Sequence, residues 1–325
     1  MTEILSGPEA ISRGATRLAD GLLVAFPTET VYGLGADALD SDAVARVFAL
    51  KGRASTNPLI VHVSGIEMAK SIVSDWPDQA QQIALAHWPG PVTIVLPKAD
   101  IVPRIVCADG PTVAVRCPAH PCALALIESF AKPIVGPSAN PSGRISPTTP
   151  EHVADGFPDA DLLIVDGGHC RAGIESTVVD LSGDAVRVLR PGIVGAHAIS
   201  KTIAHPVECA TLNPDTPIAR SPGLIGPHYQ PNTPARLIET HELSAADASV
   251  TLIAWSIETH PSGGTLIPMP SDLAGYASAI YRALHDADRS SIKTIWIELP
   301  PIEPGPDNHA IRSAIIERLT RATHR

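Results

Sequence analysis

Aromatic side chains are scarce in this chain: four Phe, four Tyr and four Trp among 325 residues, or 4%. Its core must therefore be aliphatic. Charged residues are also few, 18% against 44% hydrophobic, so a large core can be buried, and the length suggests two domains. Positive charge is the scarcer sign, with 24 Lys and Arg against 34 Asp and Glu and a formal net charge of −10. Sequence-blind gripping of a nucleic-acid backbone needs a basic surface, which this balance does not supply. The cations can instead be concentrated in a site for a small anion. Cysteine is limited to five residues with no CxxC pair. Cys117 and Cys122 flank His120 on a proline-rich turn, a poor match for zinc. The cysteines read as core or turn thiols of a reducing compartment. No run of 18 apolar residues occurs, and MTEILSGPEA has neither a basic n-region nor an apolar h-region. No membrane span or leader is expected, and the expected location is the cytoplasm. There is no GxxxxGK[ST] phosphate loop, and Gly263-Gly264 is no dinucleotide fingerprint. Proline, by contrast, is abundant at 32 residues, spread over strand ends and one linker rather than in a repeat.

The chain is organised around residues 22 to 62. The apolar run Leu22 to Phe26 predicts a buried strand, stopped by Pro27, which cannot donate to a ladder. Thr28, Glu29 and Thr30 follow at the strand's C-terminal end, where ligands bind in open α/β sheets. Gly33 and Gly35 allow close backbone approach or a tight turn. Ser41 reads as an N-cap, with Val44, Val47 and Phe48 as a helix's apolar stripe. Lys51 falls in the last turn and Gly52 ends the helix. Asn57-Pro58 leads into a strand from Leu59 to Val63, interrupted by His62. The segment thus brings a threonine pair, Lys51, Arg53, Asn57 and His62 near strand ends. Alone, it fits an ordinary βαβ unit with a solvated Lys-Gly-Arg equally well.

Later strand ends repeat the arrangement. In PTVAVRCP, residues 111 to 118, alternation puts Thr112, Ala114 and Arg116 on one face and Val113, Val115 and Cys117 on the other. The polar face meets either water or a ligand. The short strand Pro133 to Val135 runs into GPSANPSGRISPTT, residues 136 to 149. That loop suits cradling of phosphate or carboxylate, although its composition also fits a plain surface loop. Residues 173 to 192, GIESTVVDLSGDAVRVLRPG, predict a hairpin of Ser176 to Leu181 and Ala185 to Arg190. Helices are expected at 8 to 20, 65 to 74, 78 to 87, 121 to 131 and 195 to 204. Residues 206 to 234 contain seven prolines and read as a linker, yet SPGLIGPHYQP carries His228 and Tyr229, more than a spacer needs. Gly223 and Gly226 can hinge it, so a lid over a site and a stiff tether both fit. Beyond it, Val250 to Trp255, a helix over 272 to 286, Ile292 to Leu299 and a helix over 309 to 321 predict a small three-layer α/β unit. No chemistry is assigned to that unit.

Seven ordered pieces, FPTETVYGLGADA, KGR…NPLIVHV, WPGPVTIVL, VAVRCPAHP, PIVGPSANPSG, GIESTVVDL and VLRPG, resemble the Sua5/YrdC/YciO family. SPG…HYQP and the C-terminal unit resemble its two-domain Sua5 type, the L-threonylcarbamoyladenylate synthases. One departure lies in the linker, where family members more often carry a basic residue before His-Tyr. The resemblance implies an α/β architecture in three parts. A YrdC-like twisted open sheet domain with helices spans residues 1 to 205, and a Pro-rich linker lies over the active site at 206 to 235. A smaller three-layer Rossmann-like Sua5 domain spans 236 to 325.

The resemblance also implies a reaction. L-threonine, bicarbonate or CO₂, and ATP give threonylcarbamoyl-AMP and diphosphate, for the t6A modification of adenosine next to the anticodon of tRNAs. Mg²⁺ would accompany the nucleotide, with Glu29 the one carboxylate nominated near it. ATP contacts would fall on Lys51, Arg53, Asn57, Thr112, Ser138, Ser146 and Arg190, with Tyr229 added from the linker. L-threonine contacts would fall on Thr28, Thr30, His62, Arg116 and Ser176, and on the backbone near Gly136. Lys51 and Arg53 would act electrostatically, and no covalent nucleophile is required. The implied partners are downstream tRNA threonylcarbamoyl transferase proteins, with direct tRNA binding weak. Two rivals share the fold. One is another carbamoyl transferase, as in the hydrogenase-maturation proteins, whose acylphosphatase-like and zinc-finger modules have no counterpart here. The other is a non-catalytic RNA-binding module, which the net charge opposes.

Overall fold

The computed structural model describes residues 1–209, 228–290 and 293–324. β1 (Glu3–Ser6) feeds α1 (Gly7–Ala19), whose first turn holds Pro8, where no intrahelical N–H is needed. β2 (Val24–Phe26) returns through β3 (Gly33–Asp37), and α2 (Ser41–Lys51) leads to β4 (Ile60–His62). α3 (Ile66–Lys70) and α4 (Asp78–His87) precede β5 (Val92–Pro97) and β6 (Thr112–Arg116). α5 (Pro121–Phe130), β7 (Ile134–Val135), α6 (Pro150–Gly156) and β8 (Leu163–Asp166) follow. β9 (Thr177–Asp180), β10 (Arg187–Arg190), α7 (Ala196–Ile203) and β11 (Glu208–Cys209) complete the first unit. Its strands form one mixed sheet, in the order β1-β8-β2-β3-β7-β4-β6-β5-β9-β10-β11. The second unit comprises β12 (Ala235–Ile238), β13 (Val250–Ala254), β14 (Thr265–Pro268), α8 (Leu273–Arg289), β15 (Thr294–Glu298) and α9 (Pro306–Thr323). Its four strands are all parallel, ordered β12-β15-β13-β14.

Several local expectations shift. The cap of α2 is Asp40 rather than Ser41, because the Asp40 carboxylate accepts from the Asp42 and Ala43 N–H groups. Gly52 ends that helix at φ 60°, the left-handed conformation a glycine tolerates. The helix expected over 65 to 74 closes after Lys70. Of the two roles open to Gly33 and Gly35, close approach is the one found: both lie in a strand, where bare glycines let β3 lie against the Phe26 ring.

The central sheet has two unlike faces, and this positions the cavity. Along β4 and β6, Val61, Val113 and Val115 point into the main aliphatic core. Ile60 and Ala114 belong to a small separate cluster, while Ile60, His62 and Arg116 line a cavity on that face. Parallel register sets His62 directly beside Arg116. A second apolar cluster spans both units, joining Val31, Ile145 and Ile174 to Tyr276, Ala277 and Ile280 of α8. All five cysteines are free. No described helix is long and apolar enough to cross a membrane.

Candidate active site

One wall of the cavity is built from residues 28 to 31. The Thr28 hydroxyl donates to the Val31 carbonyl at 2.7 Å and accepts from the Thr30 and Val31 N–H groups. It also meets the Thr30 hydroxyl at 2.8 Å. Arg116, 3% exposed, reaches into this turn. Its Nη1 donates to Thr30 Oγ1 at 3.0 Å and its Nε to the Gly90 carbonyl at 3.2 Å. Its Nη2 stands 2.7 Å from Glu29 Oε1, an ionic contact out of line for a directed hydrogen bond. Glu29 in turn accepts from the Ala119 N–H through Oε2.

His62 sits edge-on to Phe26, with ring centroids 5.4 Å apart. Burial, reinforced by Arg116, holds its imidazole well below the usual histidine range, so the ring is neutral. Its buried Nδ1 has no hydrogen-bond partner. Gly136 permits this packing: a Cβ there would lie 2.7 Å from His62 Nδ1 and 2.8 Å from the Phe26 ring.

The cavity is also lined by Arg53, Ser138, Arg190, Glu175, His228 and Tyr229. Burial brings the Arg53 guanidinium down to about 10, and its Nε is unpartnered. Arg190 grips the Ser176 carbonyl through Nε and Nη2, at 3.1 and 2.9 Å, and Nη2 also meets Ser176 Oγ at 3.1 Å. Ser176 is itself tied to Thr93 at 2.7 Å.

The remaining expected residues lie off the wall. Lys51 is buried, and its Nζ donates to the Ser138 and Asn140 carbonyls, the latter at 2.6 Å. It thereby clamps the 136–149 loop. Ser146 donates to Glu175 Oε1 at 2.8 Å. Asn57 is buried with Oδ1 unpartnered. Thr112 pairs with Pro97 at the far end of β6 from Arg116.

The sequence reading missed Glu175 and the partners that reach it from the second unit. Tyr281 of α8 donates to both Glu175 oxygens, at 3.2 and 3.0 Å, and Arg318 Nε of α9 donates to Oε2 at 3.2 Å. A signal did exist. Arg318 interrupts the apolar stripe of Ala314, Ile315, Leu319 and Ala322, and a cation on such a stripe needs a buried partner. The linker also docks: Tyr229 stacks on Tyr281 at 5.4 Å, and the Gln230 N–H donates to the Gly143 carbonyl at 2.9 Å. Ser221, Gly223 and Gly226 lie outside the described residues.

A mixed α/β sheet gathering three guanidinium groups, hydroxyls and a neutral imidazole under an aromatic strap defines an anion-binding enzyme. Comparison narrows the class. A family model for Sua5, YciO and YrdC, described as Telomere recombination, matches residues 16–192. A second, described as Threonylcarbamoyl-AMP synthase, C-terminal domain, matches 194–323. The chain is 37% identical to the threonylcarbamoyl-AMP synthase of Pyrococcus abyssi, over 99% of this chain and 98% of that one. It is 38% identical to that of Bacillus subtilis, over 86% of this chain and 79% of that protein. Among solved structures, P. abyssi Sua5 complexed with L-threonine superposes with a TM-score of 0.89 at 34% identity, covering 99% of this chain and 97% of that one. E. coli YciO shares the fold of 59% of this chain, at a TM-score of 0.53 and 22% identity over 96% of its own length. The chain belongs to the Sua5/YrdC/YciO family, in its two-domain Sua5 form.

Proposed function

We propose that this chain is an L-threonylcarbamoyladenylate synthase, a nucleotidyltransferase that joins L-threonine, bicarbonate or CO₂, and ATP into threonylcarbamoyl-AMP and diphosphate. The product would serve t6A formation in tRNA through a threonylcarbamoyl transferase. The observation that carries this reading is a cavity lined by Arg53, His62, Arg116 and Arg190, in a chain alike over 99% of its length to a protein of that name. On one side, Thr28, Thr30, His62, Arg116, the Gly136 backbone and Ser176 suit an amino acid. Arg116 has five N–H donors, and two are engaged by Gly90 and Thr30; three remain for a carboxylate, two of them on the Nη2 that Glu29 meets only as an ion pair. A neutral His62 of such low basicity orients rather than abstracts, accepting a hydrogen bond at Nδ1 from the substrate's amine or hydroxyl.

On the other side, Arg53, Arg190 and Ser138 face charge that develops on phosphate. Lys51 and Ser146 hold the loop behind them, and Asn57, Thr112 and Tyr229 complete the nucleotide set. Catalysis would then rest on alignment of a threonine carbamate with the α-phosphorus and on fixed positive charge in a water-poor cavity. Glu29 is engaged by Arg116 and Glu175 by Arg318. No group of three His, Cys, Asp or Glu able to hold a metal occurs among the described residues. Mg²⁺ therefore fits as an ion carried by the nucleotide's phosphates and water.

The test is diphosphate release by the purified protein with each substrate omitted in turn. Release should require both L-threonine and bicarbonate. Equal release without threonine would end the assignment.

A further inference from the structure

The two units meet at one buried carboxylate. Glu175, two residues before β9, lines the cavity and is approached from three elements. Ser146 comes from the 136–149 loop, Tyr281 from α8 and Arg318 from α9. Arg318 is 1% exposed, the most deeply buried cation among the described residues of the second unit, and its Nη1 also donates to Glu317 at 3.0 Å. A guanidinium is buried this far only where its charge is matched, because desolvation otherwise outweighs attraction. Burial by itself would push Glu175 up. Arg318, Arg190 and the Ser146 hydroxyl outweigh it and hold the carboxyl below the usual range. The cavity wall thus contains a carboxylate next to the cations that would meet a polyphosphate.

We propose that Arg318 is a positioning residue for the nucleotide side of the cavity: reaching in from the second unit, it neutralises and anchors Glu175. The field of Arg53 and Arg190 is then aimed at phosphate rather than cancelled by Glu175, and Ser146 is held in register. The proposal rests on the reading of ATP as a substrate and adds a role for the second unit. Deprived of Arg318, Glu175 repels the phosphates and competes with them for Arg190. A neutral amide in its place would still accept from Ser146 and Tyr281 and would need no cation.

The experiment compares the full-length wild type, Arg318→Met, and the double variant Glu175→Gln with Arg318→Met. Initial rates give the KM for each substrate, and titration calorimetry gives the ATP dissociation constant. Arg318→Met should raise the ATP KM and dissociation constant at least about fivefold and leave the L-threonine KM within about twofold. The double variant should bring the ATP values back to within about twofold of wild type. A purely structural role would lower the melting temperature and the active fraction without separating the two KM values. Arg318→Met with an unchanged ATP KM overturns the proposal, and so does a double variant no better than the single one. Should Arg318→Met fail to fold, Tyr281→Phe removes one donor to Glu175 while keeping the ring against Tyr229. It should raise the ATP KM and spare the threonine KM, and an unchanged ATP KM again overturns the proposal. A wild type that binds ATP without turning it over with threonine defeats the proposed function alone, and calorimetry still decides on Arg318. A wild type that binds no ATP defeats both.

Discussion

Arg116 is the side chain on which the amino-acid side of the cavity turns. Arg116→Lys keeps the charge but trades a rigid fork for a rotatable ammonium. A hydrogen bond to a charged group contributes about 1.5–3 kcal/mol, so the L-threonine KM should rise roughly ten- to a hundredfold. The ATP KM should stay near its wild-type value. Initial rates of diphosphate release measure both, and a change in the ATP KM alone would put Arg116 against phosphate. Gly136→Ala forces a methyl onto His62 and Phe26. Overpacking of this kind costs about 1–3 kcal/mol, so the melting temperature should fall together with threonine affinity. An unchanged melting curve would show that β7 has room to shift. Thr28, Thr30, Arg53, His62 and Arg190 were legible in the sequence because each sits in a short motif beside a strand end. The engagement of Arg116 by Glu29 was not, because it joins residues far apart in the chain. Nor was the orientation of Lys51. A lysine in a last helical turn reads alike whether it faces a ligand or two carbonyls of a distant loop.

The linker end and the 136–149 loop act as one element. Gln230 bridges to Arg144 in parallel register, and Tyr229 adopts φ 65°, a conformation that strains a bulky side chain by about 1–3 kcal/mol. Stacking on Tyr281 holds it there over the cavity. A lid and a docked tether both fit this contact, and they differ in what loss of the ring does. Tyr229→Ala should lower product yield and increase free AMP from leaked adenylate, because closure keeps water from the carbamate and the mixed anhydride. Chromatography of the nucleotide products reads the result, and unchanged yield and AMP would retire the lid. Long periodic elements such as α8 and the hairpin of β9 and β10 could be read directly from the chain. β1, β12 and β14 could not. They are four residues each, and neither Glu3–Ser6 nor Thr265–Pro268 has a fully buried residue, so the apolar pattern that marks a strand is missing. Pairing with neighbours, not local sequence, makes them strands.

The interface between the two units as a whole carries a pH dependence. His152 of α6 and His285 of α8 stack with ring centroids 3.8 Å apart. Burial first, then the facing imidazole and Arg289, lowers His152 to about 3. Burial lowers His285 to about 4, with Arg289 adding to it and the Ser146 carbonyl, Asp288 and Asp155 opposing. Both folded values lie below the unfolded one. The stability these neutral rings confer is therefore complete above about pH 6.5. It is lost as the pH falls from there toward 4 and then 3, by about 1.4 kcal/mol per pH unit for each ring. Melting temperature should accordingly drop between pH 6.5 and 4, and His285→Phe should flatten the drop while preserving the stack. Equal slopes in variant and wild type would locate the acid sensitivity elsewhere. Two domains were foreseen; their shared apolar cluster and shared carboxylate were not, because an interface leaves no periodic mark on either partner.

Glu175 and Arg318 are 143 residues apart, and a ribosome adds roughly 5–20 residues per second. The carboxylate therefore exists for roughly 7–30 s before its cation is made. During that interval the first unit can form its sheet, yet Ile174 and Val31 lack the α8 face that will cover them. Glu175 then has the hydroxyl of Ser146 and the nearby charge of Arg190, but neither Tyr281 nor Arg318. A nascent or prematurely terminated chain thus carries a half-built pocket, with an acid where a phosphate should go. On the proposed role of Arg318, the nucleotide side of the pocket is completed only once α9 has left the ribosome, long after the strands that carry it.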